Sequence, residues 1–508
     1  MTVLVLGDQL TREVGPVAAR RDERVLLIEA YEFARRLPYH PHKLTLVFAA
    51  MRAFRDELEG VGREVEYLQA ETFGEAFESY FAAHPGDSLV VMRPSSDGAA
   101  RRLERLVDRA GGSLEVVSNE LFLCSREAFE RWSDGRSRPY RHEDFYRFMR
   151  RKTGYLLEDD EPVGGEWNLD DQNRETPGAE YDPPAPPRYE PDERTREVAA
   201  WVHEEFAGGY DHQPYGGDWA DPETFRWPVT RADALDALDR FLEDRLADFG
   251  PYQDAMLEDE WAMNHALLAA PLNLGLLHPA EVVEAAIERY QADPDVPLNS
   301  IEGFLRQVIG WREFVRGVYR EAMPDLAEAN QLDATAALPD LYWTGETEMA
   351  CVADAVGTVR ERGYSHHIKR LMILSNFALL YGVEPRQLNR WFHAAYVDAF
   401  HWVTTPNVVE MGCYGSGVFA TKPYAASANY VNRMSDYCSS CPYDHTETTG
   451  EDACPFNALY WDFLDRNEDH LRENHRMALV YSHLENKDRE AIAERADQHR
   501  RRAEDGVL

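Results

Sequence analysis

The feature that most constrains this chain is a change of hydrophobic period part-way along it. Within residues 1–120, short apolar runs alternate with amphipathic stretches. Val3–Leu6, Val25–Ile28, Val65–Leu68, Leu89–Met92 and Leu114–Val117 read as strands, and 41–58, 72–84 and 97–110 as helices. This rhythm predicts a mostly parallel sheet covered by helices on both faces. Ligands on such sheets sit outside the carboxyl ends of the strands, here near Gly7-Asp8-Gln9. No Gly-x-Gly-x-x-Gly occurs, so the dinucleotide fingerprint is absent. From about residue 196 onward the pattern is helical throughout. Between the two regimes lies a polar, acidic stretch with six prolines from Pro177 to Pro191, which reads as stiff and extended. At 508 residues the chain exceeds what one core serves. The expected division is an α/β domain over 1–125, a connector with basic and Pro-rich parts over 126–195, and an all-α domain over 196–508.

Charge narrows the setting. Ninety-one acidic residues stand against 54 basic ones, for a net charge of -37, and only five of the basic residues are lysine. The acid is spread along the whole chain, as in proteins adapted to high salt, where ions screen the self-repulsion. The N-terminus reads as a strand rather than a signal peptide, and no apolar run is long enough for a membrane span. Six cysteines in so long a chain are not a disulfide scaffold, which points to the reducing cytoplasm.

The strongest local signal is Cys438-x2-Cys441-x12-Cys454-Pro455. Two thiolates three apart on a turn can reach one metal centre, and a third follows a short loop later. Cys351 is the candidate fourth. Four thiolates suit a cubane cluster or a zinc ion, although Cys351 lies 87 residues before Cys438, unlike a compact zinc ribbon. Ordinary buried thiols are the bland alternative. Cys124 and Cys413 lack partners at ligand spacing and read as packing residues.

Ordered motifs then run along most of the chain: Leu6-Gly7-Asp8-Gln9-Leu10, Ala50-Met51-Arg52, and Phe145 through Gly154. Further on come Glu302-Gly303-Phe304, Gly310-Trp311-Arg312-Glu313, His366 through Met372, Lys422 through Ser427, Ser435 through Cys438, and Ala453 through Trp461. On these the sequence resembles the iron-sulfur bacterial cryptochromes and photolyases, the prokaryotic (6-4) photolyases. The resemblance implies a photolyase/cryptochrome fold: an N-terminal Rossmann-like antenna domain and a C-terminal helical domain holding FAD. It also implies a 4Fe-4S cluster on Cys351, Cys438, Cys441 and Cys454. The expected activity is light-driven repair of pyrimidine (6-4) photoproducts in UV-damaged DNA by a monomer, with no membrane partner.

The same resemblance assigns roles. Arg306, Gln307 and Arg312 are suited to the FAD pyrophosphate, and Asp398 and Asn407 match positions near the flavin ring. His265-Ala266-Leu267-Leu268-Ala269 departs from the family pattern by lacking two hydroxyls. A titrating imidazole can donate a proton to a lesion. His367 is the expected donor and His366 its partner, with Met411 and Tyr424 lining the lesion pocket. Trp391 and Trp343 match electron-transfer tryptophans, although Phe392 stands where the family often has Tyr. Asp8 and Gln9 are candidate contacts for a lumazine antenna (6,7-dimethyl-8-ribityllumazine). The stretch Arg136–Lys152 is locally basic with interleaved aromatics, so Arg147, Arg150 and Arg151 are the candidate phosphate contacts. Other readings are a cryptochrome photoreceptor with the same cofactors, a cyclobutane-dimer photolyase, and an iron-sulfur DNA-binding protein without flavin.

Overall fold

A computed structural model of the protein describes residues 1–178, 180–207 and 219–508. Strands β1 (Thr2–Val5), β2 (Arg24–Ala30), β3 (Val65–Ala70), β4 (Ser88–Met92) and β5 (Ser113–Val117) form one parallel sheet in the order β3-β2-β1-β4-β5. Side chains alternate across it, as the period of two requires. Leu4, Leu26 and Val91 face the helices Phe73–Ala83 and Ala99–Arg109. Val3, Val25, Leu27 and Val90 face the helix Pro41–Gly60. That second core does not stop at the sheet. It runs on through Val198, Phe241, Phe304 and Ile309, so the sheet and the helical body share one apolar layer.

The expected connector is partly something else. Residues 126–153 form the helices Arg126–Ser133 and His142–Thr153; their Trp132 and Phe145 pack against Phe314 in the helical core, and Phe129 packs on both. The fit is close enough to dictate sequence. A Cβ on Gly317 would sit 2.0 Å from the Phe129 ring, so the helix Glu313–Ala322 needs glycine there. The apolar faces of these two helices belong to the core, and a connector reading from charge and proline content could not show that.

Downstream of residue 196 the described residues are helical, as expected, with only isolated bridges. Among the described residues four stretches widen to π-helix: His203–Ala207, Arg306–Arg312, Lys369–Ser375 and Pro406–Gly412. Such widened turns cluster at functional sites. No described helix is long and apolar enough to cross a membrane.

Candidate active site

The last three of these π-helical stretches border one cavity of about 850 Å³ in the helical body. That is within the range of sites that enclose a sizeable ligand. Widening the turn swings successive side chains toward the same side, and here it delivers polar groups from segments far apart in sequence. Arg306, Gln307 and Arg312 come from the first of the three, and Asn407 and Met411 from the last. His367, Asp398 and Tyr424 complete the set of sequence-nominated residues on the wall.

Several of these are held by partners. Arg306 pairs with Asp170 at 2.6 Å and lies beside Glu302, yet its Nη2 has no hydrogen-bond partner among the described residues. Arg312 donates to the carbonyl of Leu121 and to Glu313 and lies over the Phe122 ring at 4.3 Å, with Nε unpartnered among the described residues. Asp398 takes both guanidinium arms of Arg370, at 3.0 and 2.9 Å. Arg370 in turn lies over Tyr396 at 4.2 Å and bonds the carbonyl of Ser365. Asn407 donates to the carbonyl of Val403 at 2.8 Å.

The histidine pair divides. His367 is exposed to the cavity. Desolvation by the surrounding cavity walls lowers its pKa to about 4, with the Arg370 charge adding to the effect. His366 is wholly buried behind the wall and stacks at 4.7 Å on His265, which itself lines the cavity. Neither ring nitrogen of His366 has a hydrogen-bond partner among the described residues. Burial, then His265 and Lys369, hold it well below the usual imidazole range. The expected direct partnership with His367 is thus replaced by a stack on His265. His265 and Arg370 were missed as individual candidates, although both lie in segments that the sequence had marked. His142, stacked on Trp311 at 3.8 Å, lines the cavity too and carried no sequence signal of its own.

Two nominations are corrected. Arg150 does not face solvent. It is 1 % exposed, donates to the carbonyls of Tyr155, Leu156 and Trp167, and holds the end of its helix to the following loop. Arg147 and Arg151 do reach the surface, both beside the Trp167 ring, though Arg147 also pairs with Glu143. Gln9 is 2 % exposed, and its amide spans the point where the strand order reverses to bond the carbonyl of Met92 at 2.8 Å. It is a strut across the sheet end rather than an open contact. Asp8 beside it is raised by burial, against a hydrogen bond from Ser95 and the field of Arg316.

Trp391 is buried and bonds the carbonyl of Tyr342 at 3.0 Å. It touches Phe392 of the cavity wall at 5.0 Å, and with Trp343 it lines a separate surface cleft.

Cys351, Cys438, Cys441 and Cys454 all border one small enclosed pocket beside Tyr437, Tyr443 and Phe456. Burial raises three of these thiols: Cys438 to about 11, Cys454 to about 12, and Cys351, which the other three raise further. Among the described residues no three His, Cys, Asp or Glu side chains converge as ligands of a single ion.

Residues 3–220 match the family of deoxyribodipyrimidine photo-lyase-related proteins. A (6-4) photolyase of Agrobacterium fabrum is 41% identical over 490 residues, spanning 94% of each chain. A bacterial class III photolyase of Agrobacterium tumefaciens superposes with a TM-score of 0.59 at 19% identity, over 96% of this chain and 98% of its own. An archaeal photolyase of Sulfolobus tokodaii, solved with two FAD molecules, gives 0.54 at 13% identity over 85% and 87%. With a relative this similar along nearly its whole length, and the same two-part architecture, the chain belongs to the deoxyribodipyrimidine photo-lyase-related family of photolyases.

Proposed function

We propose that this protein repairs pyrimidine (6-4) photoproducts in DNA under light, as a monomer, with FAD in the central cavity. The observation that carries the reading is what the cavity wall leaves unpaired. Arg306 Nη2 and Arg312 Nε are buried without hydrogen-bond partners among the described residues. A buried donor costs about 1–3 kcal/mol unless met, so this wall calls for a ligand with acceptors. FAD offers a pyrophosphate and a ring edge rich in them, and the loss of two hydroxyls at Ala266 and Ala269 leaves these donors in place. Bound FAD would supply light absorption and an electron, which no side chain here can.

The protein does the rest. Tyr424, 37% exposed, stands at the mouth where a flipped lesion would enter. His367 would hand over the proton. The protein alone keeps that imidazole neutral at pH 7, and an anion drawn into the cavity favours its charged form. Arg370 fixes Asp398 against the cavity. Trp391 and Trp343 would refill the electron vacancy, and Arg147 and Arg151, beside Trp167, would take phosphates. The name of the Agrobacterium fabrum relative supports the (6-4) substrate.

A 4Fe-4S cluster fits the cysteine pocket better than zinc does. In a cubane each thiolate takes a different iron, so the sulfurs surround the cluster instead of meeting at one ion. That accords with four thiols around one pocket and no single-ion site. The repair chemistry needs no antenna, and Asp8 and Gln9 are already engaged by the protein.

The test is a defined (6-4) oligonucleotide beside a cyclobutane-dimer one, in blue light and in darkness. Wild type should repair the first only in light. His367→Ala should lose about 100-fold or more of that rate while FAD stays bound and photoreducible. Wild-type repair by His367→Ala removes the proton-donor role. Failure of the wild type on both lesions favours the photoreceptor reading.

A further inference from the structure

Lys369 and Arg370 are consecutive residues at the start of the π-helical stretch Lys369–Ser375, and they reach in opposite directions. Arg370 grips Asp398 on the cavity wall through two hydrogen bonds. Lys369 turns away from the cavity. Its Nζ lies 2.5 Å from Asp354 and 3.3 Å from the carbonyl of Glu260. The side chain of Lys369 is 0% exposed. Asp354 also accepts from the hydroxyl of Tyr437. Asp354 sits one turn beyond Cys351 on the helix Ala350–Arg362, and Tyr437 immediately precedes Cys438. A single carboxylate thus ties the lysine to two cysteine-bearing segments at once.

A second strap runs alongside. Met256 and Glu258 donate through their backbone to Met434 and Asp436, just before the cysteine turn, and Ser440 within that turn bonds Glu258 at 3.0 Å. A few residues on, this strap becomes the cavity wall at His265.

A buried lysine–carboxylate pair is a poor way to gain stability. Desolvating both charges costs several kcal/mol, and well-packed apolar residues of the same volume often do as well or better. What such a pair does provide is a fixed spatial relation, because neither charge can move without the other. The densely packed interior then passes any displacement on.

We propose that Lys369, Asp354 and Tyr437 are positioning residues that couple occupancy of the four-cysteine pocket to the shape of the cavity wall. Filling the pocket fixes Asp354 and Tyr437. Lys369 follows them, and the same turn sets Arg370 against Asp398 and His367 at the cavity. This rests on the reading that FAD fills the cavity and an iron-sulfur cluster fills the cysteines. It gives the cluster a role at the flavin site without any electron passing between them.

Coupling between two sites is reciprocal in binding free energy and typically amounts to about 5- to 150-fold in affinity. The experiment measures the dissociation constant of FAD, by flavin fluorescence, for full-length protein with its iron in place and after anaerobic iron removal. In wild type, iron removal should weaken FAD binding about tenfold. In Lys369→Met the ratio should fall to within about twofold, and Lys369→Arg should restore it in part. Tyr437→Phe, which removes one hydroxyl, serves as the mild variant should Lys369→Met fold poorly, and it too should lower the ratio. A role in stability alone would weaken both FAD affinities and leave their ratio unchanged. The proposal is overturned if wild-type FAD affinity ignores iron removal, or if the ratio persists in both Lys369→Met and Tyr437→Phe. Wild-type protein that purifies without iron refutes the cluster reading and takes the coupling with it. Iron without FAD affinity refutes the flavin reading.

Discussion

Arg150 and Arg151 are neighbours of the same residue type in a basic stretch, and the structure gives them opposite fates. Arg150→Met keeps an apolar stem but removes the guanidinium that lies over Tyr146 and Trp167 and donates to the carbonyls of Tyr155, Leu156 and Trp167; Leu156 keeps the N–H of Val163, so the carbonyls of Tyr155 and Trp167 are the ones stranded. Each unmet buried acceptor costs about 1–3 kcal/mol. Two of these bonds are long, at 3.4 and 3.3 Å, so their shares fall at the low end. The unfolded chain also recovers no guanidinium hydration in the variant, which offsets part of the loss. A net destabilisation of about 2 kcal/mol is expected. Urea unfolding at fixed, high salt reads it as a lower midpoint with unchanged slope. DNA affinity of the folded variant, measured across salt concentrations, should keep the wild-type slope. Arg151→Ala should do the reverse: stability within about 0.5 kcal/mol of wild type, and a salt slope reduced by about one. If Arg150→Met instead stays stable and lowers the salt slope, the arginine reaches phosphate, and the burial argument is wrong.

Three further outcomes follow from particular contacts. Gly317→Ala should destabilise by about 1–3 kcal/mol, because the new methyl meets the Phe129 ring at 2.0 Å; a melting temperature equal to wild type would show that the helix pair can slide apart. Cys454→Ser should bring iron well below the about four per chain expected for a cubane, measured colorimetrically on anaerobic protein; full iron in the variant would exclude Cys454 as a ligand. Acid should destabilise through buried histidines. His42 and His401 are lowered to about 4 by burial, so between pH 6.5 and 4 the unfolded chain binds protons that the folded chain refuses. Each then removes up to about 1.4 kcal/mol of stability per pH unit as pH falls through that window. His42→Asn should flatten the dependence of the urea midpoint on pH, and an unaltered dependence would count against it.

Much of this protein could be read from its sequence. The parallel sheet was legible because a strand's period of two and a helix's period of 3.6 are local properties, written in the spacing of Val3–Leu6 or of the residues 41–58. The cysteine set was legible because thiols at Cys438, Cys441 and Cys454 carry a ligand spacing in the chain itself. Ordered motifs nominated His367, Asp398, Asn407 and Tyr424, and the fold brings all four to one wall. What sequence could not decide was which side of a structure a polar residue would face. Arg150 and Arg151, Lys369 and Arg370, and His366 and His367 are each adjacent in the chain and part company in space. Gln9 looks like a ligand contact until the strand order places Met92 beside it. A π-helical turn at residues 306–312, 369–375 and 406–412 depends on how neighbouring helices press on the backbone, so no period in the sequence announces it. Local pattern fixes which element forms. Whether a charge ends in water, in an ion pair or at a cavity wall is set by desolvation, and that depends on every segment packed around it.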